Sequence, residues 1–244
     1  MNLDTSLTVA GKELKVIRRK KSIILYIVIV PLLLSFGFSL IVQNDIAPPS
    51  GIVSNYQLGL ESLTYFFVVL AAVLPASIAA YSIVGEKIEK GLEPLLATPA
   101  SDGEILLGKS IAAFVPPILT LWAGASIFMV AVDYLTYIEL SYNFFPNWTS
   151  GIMLLLLAPL AAIFSIECAV IASSRVTDAR GANQIASLMF VPFMAIFLAA
   201  VEGIFAFDLD NLLIVSGVVL VVDVALLFLS TATFRREEIL TKWR

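Results

Sequence analysis

Residues Gly103-Glu104-Ile105-Leu106-Leu107-Gly108-Lys109-Ser110 satisfy the spacing G-x-x-x-x-G-K-S, the pattern of a loop that wraps phosphate in backbone amides. The chemistry does not follow from the spacing. Such a loop needs a preceding buried strand and a glycine-rich turn, whereas here the interior is Ile-Leu-Leu and a long apolar run comes next. Ser101 and Glu104 instead have the S-x-x-E spacing of a helix capping box. Histidine is absent, which removes Ser-His hydrolysis and the usual His-ligated zinc sites. No constellation of catalytic side chains emerges. The expectation is a chain with no catalytic, cofactor-binding or metal site of its own.

Glu167 and Asp223 offer a different chemistry, because each interrupts a long apolar run. Inserting a carboxylate into hydrocarbon costs about 2.5–3.5 kcal/mol, and such groups face protein or water rather than lipid. Asp223 sits about 12 residues from the outer end of its run, roughly 18 Å deep. Two readings are open. The pair can belong to a substrate, cation or proton pathway, or each can be a protonated carboxyl bonded to a neighbouring helix. Glu61, near an outer end, reaches the interface.

The elements that must hold these residues are set by composition. Hydrophobic residues make up 59% of the 244 and charged residues 14%, with mean hydropathy +0.96. Soluble domains average about 45–50% apolar and about 25% charged, so lipid is the natural solvent of this chain. Six runs approach the roughly 20 residues that a helix needs to cross a bilayer: 22–42, 58–84, 111–132, 151–172, 184–201 and 211–232. The fifth is the shortest, and Pro192 with Glu202-Gly203 marks it as broken or partly re-entrant. Backbone in lipid must bond internally, and runs apolar on all sides form helices rather than barrel strands. The predicted fold is all-α and polytopic, with one membrane domain (22–232) between an N-terminal segment (1–21) and a tail (233–244).

Lys and Arg set its orientation. All 15 fall in the N-terminal segment, between runs two and three, between runs four and five, or in the tail. The intervening loops carry Asp45, Asp133, Glu139, Asp208 and Asp210 instead. Both ends are therefore expected in the cytoplasm of a multi-pass protein of the plasma membrane. The basic run 18–21 before an apolar run of about 21 residues is read as an uncleaved signal anchor, since a cleaved signal has an apolar core of roughly 7–15. Cys168 is the single cysteine and forms no intrachain disulfide.

Leu7, Ala10, Leu14 and Ile17 recur at helical spacing while Lys12, Lys15, Arg18 and Arg19 fall mostly elsewhere. This predicts an amphipathic helix on anionic headgroups; a basic arm supplying only topology is the alternative. Pro31, Pro75, Pro116, Pro117, Pro159 and Pro192 lie within the apolar runs. They either shape packing or provide hinges. Asn147-Trp148-Thr149 matches a glycosylation sequon, a triplet common by chance, and Trp148 with Tyr134, Tyr137 and Tyr142 fits an interfacial aromatic belt or a small amphipathic outer helix. The polar stretch 85–109 carries the most information. Gly91 and Pro94 break its helix, and Leu92, Leu95 and Leu96 make a short apolar face rimmed by Glu86, Glu89 and Glu93. That arrangement suits docking of a partner protein, or else a linker resting on headgroups.

This stretch resembles the type-2 permeases of ATP-binding-cassette (ABC) exporters. Their corresponding loop has acidic residues, then x-Glu-x-Leu-Leu-x-Thr-Pro, then Glu-Ile-Leu-Leu-Gly-Lys. Glu86, Glu89, Glu93, Leu95, Leu96, Thr98, Pro99, Glu104, Gly108 and Lys109 match it, while Gly91 replaces a threonine that many members carry. Residues 173–184 and 234–240 are similar to the family's second inner loop and tail. The resemblance implies six helices, a permease paired with a second copy or a paralogue, and a separate ABC ATPase subunit that binds the ATP. It also implies that Glu86, Glu89, Glu93, Leu95, Leu96, Thr98 and Pro99, together with the N-terminal helix, contact that ATPase. Membrane lipid is an expected partner; nucleic acid is not. Two other classes fit the residues alone: an ion-coupled secondary transporter using Glu167 and Asp223, and a membrane anchor or assembly protein that moves nothing.

Overall fold

A computed structural model of the chain describes residues 3–43, 53–88, 101–140, 143–175, 181, 184 and 188–233. Among these the fold is helical throughout, without a strand. The helices are α1 (Leu3–Arg19), α2 (Lys21–Ile41), α3 (Val53–Ile88), α4 (Asp102–Leu140), α5 (Trp148–Ile152), α6 (Ala158–Arg175), α7 (Val191–Val201) and α8 (Leu209–Thr233). A π-helical turn, Met153–Leu157, joins α5 to α6, and a 3-10 turn, Leu188–Phe190, leads into α7.

Five helical segments are long and apolar enough to cross a membrane: α2, α3, α4, the α5–α6 unit and α8. Most of α3's apolar window is buried (78%), against 17% in α2 and in α8. Helix α3 is thus the centre of the bundle and packs on α4, α6 and α7. Helices α2 and α8 turn Leu33, Phe36, Val221 and Phe228 outward, a surface that water would not tolerate. Helices α3 and α4 contain 36 and 39 residues. At 1.5 Å per residue they are about 54 and 58 Å long, well beyond the roughly 30 Å of hydrocarbon. Their excess length includes Ser82 at the end of α3 and Ser101–Lys109 at the start of α4.

The fifth predicted run differs. Instead of a helix over 184–201, α7 has 11 residues and begins at Val191. Pro192 occupies its first turn, where a missing N–H removes no helical bond. At roughly 16 Å this helix does not span by itself. Its C-terminus closes at Gly203, whose φ of 73° is the left-handed conformation that glycine adopts freely. Residues 185–187 lie outside the described residues.

The prolines are accommodated in distinct ways. Pro31, Pro75, Pro116 and Pro117 lie inside continuous helices. Pro31 meets Gly124 of α4 so closely that a Cβ there would fall 2.9 Å from the proline Cβ. Ser35 Oγ donates to Gly124 O at 2.6 Å across the same contact. Pro159 follows the π turn. There the Ala158 N–H reaches back to Met153 O instead of Leu154 O. In that register Leu154 O would need a donor from residue 159, which is proline and has none. The indole of Trp122 supplies it, Nε1 donating to Leu154 O at 2.8 Å. Trp122→Phe removes this donor and leaves a buried carbonyl unpaired. The expected loss is about 1–3 kcal/mol, read as a lower unfolding midpoint in detergent. An unchanged midpoint would show that the carbonyl finds another donor.

At the end remote from Ser101, Asp133 Oδ1 accepts the N–H groups of Phe144 and Phe145, each at 3.0 Å. Phe38, Phe67, Phe128 and Phe145 form a chain of ring contacts. Asn147 of the sequon caps α5, its Oδ1 accepting Ser150 N–H at 2.7 Å. Tyr134, Tyr137 and Trp148 are exposed, as an aromatic belt requires.

Candidate functional site

The capping box is formed. Ser101 N–H donates to Glu104 Oε2 at 3.0 Å and Glu104 N–H donates to Ser101 Oγ at 3.4 Å. This satisfies amide donors that the first turn of α4 would otherwise leave open. The box starts α4 at Asp102 and so places Gly108 and Lys109 two turns inside a helix, not in a phosphate loop. Their roles are structural and specific. A Cβ on Gly108 would lie 2.6 Å from Ser6 O and 2.7 Å from Val9 Cβ of α1. Only a residue without a side chain lets α1 lie directly against α4 there.

Beside that contact lies a buried ionic clasp. Lys109 Nζ donates to Glu13 Oε1 at 3.1 Å, and the two side chains are 4% and 8% exposed. It also donates to Ser82 Oγ at 3.0 Å and Ser82 O at 3.3 Å. Ser82 Oγ in turn donates to Glu13 Oε2 at 3.0 Å. One serine thus bridges both members of an ion pair. The pair joins three elements: α1 through Glu13, the end of α3 through Ser82, and the start of α4 through Lys109. Residues 89–100, which carry most of the expected ATPase-binding face, lie between the last two. A second tie runs nearby, where Lys20 Nζ donates to Tyr81 Oη at 2.6 Å.

Helix α1 has three faces. Ser6, Ala10, Glu13 and Ile17 are buried; Leu3 and Leu7 are exposed; Lys12, Lys15, Arg18 and Arg19 are also exposed. The expected apolar stripe is therefore split. Ala10 and Ile17 join the protein-facing side while Leu7 faces outward. The tight seat over Gly108 selects the face with small residues. Glu13 was not legible as a site residue. Its signal is a lone charge on the 6-10-13-17 helical stripe, otherwise small or apolar.

Of the residues expected to engage an ATPase, Glu86 falls in the last turns of α3, where its side chain is not described. Glu89, Glu93, Leu95, Leu96, Thr98 and Pro99 lie outside the described residues. The tail 234–244 and most of 173–184 do so too. Glu167 on α6 and Asp223 on α8 are buried at 6% and 4% exposure. Helices α6 and α8 pack together and bring the two carboxyl groups within electrostatic range of each other. Glu167 Oε2 and both Asp223 carboxyl oxygens have no hydrogen-bond partner. The carboxyl bonded to a neighbouring helix, one of the two expectations for this pair, is thus not formed by Asp223. Among the described residues no cluster of acidic and sulfur ligands suits a metal ion.

Long helices with outward apolar faces, clasped at one end by a buried ion pair, describe a multi-pass membrane protein. The chain belongs to the ABC-2 family of transporter proteins, whose model matches residues 7–214. It is a membrane permease component of that transporter class. Compared with curated proteins, the sequence finds no match.

Proposed function

We propose that the protein is the permease subunit of an ABC exporter of the plasma membrane. It crosses six times with both ends in the cytoplasm, pairs with a second copy or a paralogue, and is driven by ATP bound on a separate ATPase subunit. Six crossings require residues upstream of α7 to complete the fifth span. The basic residues of α1 then face the cytoplasm and its exposed Leu3 and Leu7 dip into the interface. The observation that carries the reading is the Glu13–Ser82–Lys109 clasp. An ATPase gripping residues 86–99 pulls on a segment whose two ends are tied to each other and to α1. Movement there reaches two membrane helices as one body rather than dissipating in a loose loop. ATP binding favours one state only through contacts that differ between states, and rigid ties deliver that difference to the spans.

Co-purification and flux test the proposal. An ABC ATPase is expected to copurify with the chain. Replacing Glu86, Glu89 and Glu93 together by Gln is expected to abolish ATP-dependent flux in reconstituted vesicles while the chain stays folded. Flux that continues at the wild-type rate without ATP overturns the reading. The unpartnered carboxyl oxygens of Glu167 and Asp223 favour a second reading, an ion-coupled transporter. That alternative predicts flux that survives ATP depletion and is lost in Glu167→Gln and Asp223→Asn. An anchor or assembly protein predicts no flux under either condition.

A further inference from the structure

A cavity of about 390 Å³ lies between α4, α6 and α8, toward the end of the bundle that holds the clasp. Each helix contributes a stripe at helical spacing. Leu106, Ser110 and Phe114 come from α4; Ile163 and Glu167 from α6; Leu227 from α8. Its volume falls in the range of small-molecule sites, about 300–1,000 Å³. The wall is apolar except for hydroxyls and the Glu167 carboxyl group. The hydroxyls of Ser230 and Thr231 already donate to Leu227 O, at 3.0 and 2.9 Å. Glu167 is the exception, with Oε2 buried and unpartnered. Asp223 lies one turn from Leu227 on α8 and adds a second acidic group nearby. No Lys or Arg lines the cavity among the described residues.

We propose that this cavity is a binding site for a lipophilic organic cation, its charge against the Glu167 carboxylate and its apolar groups against Leu106, Phe114, Ile163 and Leu227. Three other occupants fit less well. An acyl chain fills the apolar wall but leaves the buried carboxylate without a counter-charge, an arrangement that burial makes expensive. An inorganic cation requires several oxygen ligands, whereas this wall offers one carboxyl group and three hydroxyls, two of which, on Ser230 and Thr231, already donate within α8. An anion meets two acids. A delocalised or alkylated cation satisfies both halves of the site, and the Phe114 ring adds a face suited to positive charge.

The site requires no ATPase, so its test is separate from that of the permease reading. Purified full-length chain in nanodiscs of zwitterionic lipid is titrated with tetraphenylphosphonium and with tetraphenylborate, an anion of similar size and shape. Empty nanodiscs correct for lipid partitioning. Saturable binding of the cation alone is expected. Glu167→Gln keeps the shape and is expected to weaken it at least about tenfold. Leu227→Trp fills the space from a half-exposed position that spares the core, and is expected to weaken binding without touching the carboxylate. Equal binding of the anion, or unchanged binding in Leu227→Trp or in a folded Glu167→Gln protein, overturns the assignment. So does the absence of saturable binding, whatever flux assays find.

Discussion

Replacing Lys109 by methionine is expected to destabilise the protein by about 3–5 kcal/mol, the range for removing one partner of a buried ion pair. The loss is not the energy of one contact. Glu13 remains 8% exposed with its charge unmatched, and Ser82 loses the ammonium that it helps to hold. The Glu13→Gln, Lys109→Met double variant removes both charges and is expected to recover much of the loss. Buried pairs replaced together by neutral groups of similar volume are often close to neutral in stability. A double-mutant cycle on unfolding midpoints in detergent measures the coupling. Additive losses would show that the two side chains do not act as a pair. The cycle also separates stability from transmission. If the clasp carries motion from 89–100 to α1, the recovered double variant folds but transports poorly.

The second large effect is expected at Gly108. Alanine there places a Cβ 2.6 Å from Ser6 O and 2.7 Å from Val9 Cβ. The obstruction includes backbone of α1, so rotamer changes do not relieve it. Helix α1 must lift away, which strains the Lys109–Glu13 pair one residue further on. Overpacking of this kind costs about 1–3 kcal/mol, and Gly108→Leu is expected to exceed that range. Gly11→Ala is the internal control. Nothing lies within 4 Å of a Cβ at Gly11, and alanine favours a helix interior over glycine by about 1 kcal/mol. The same chemical change is thus expected to stabilise α1 at position 11 and dislodge it at position 108. Midpoints and the rate of proteolysis within residues 3–19 read both. Similar behaviour at the two positions would show that α1 is not seated on α4.

Much of this architecture is local and was legible in the residues. The apolar runs had to be helices because backbone in lipid has no other partner. Serine and glutamate three apart fit a helix cap, and an Ile-Leu-Leu interior leading into a long apolar run excludes a phosphate loop. Five predicted spans match helical segments of similar or greater extent, and the excess in α3 and α4 comes from flanks that are polar yet helix-forming. The run 184–201 was harder to read. Hydropathy counts apolar residues, whereas Pro192 started a helix there instead of interrupting one.

What the sequence by itself determined is a helical membrane protein with its basic and acidic ends distinguished; that 85–109 receives a partner is an expectation the sequence raised. What only the tertiary structure decided is which side chains meet. Glu13 and Lys109 are 96 residues apart, and no periodicity links them. Gly108 reads as an ordinary motif glycine until α1 is seen against it. Leu154 O needs Trp122 only because a π turn and a proline coincide in a different helix. Glu167 becomes a candidate site because α4 and α8 leave a space in front of it. Local hydrogen bonding and transfer to lipid act on neighbours along the chain, so they can be read in order. Close packing and the neutralisation of buried charge act between helices, so their partners are known only once the bundle is assembled.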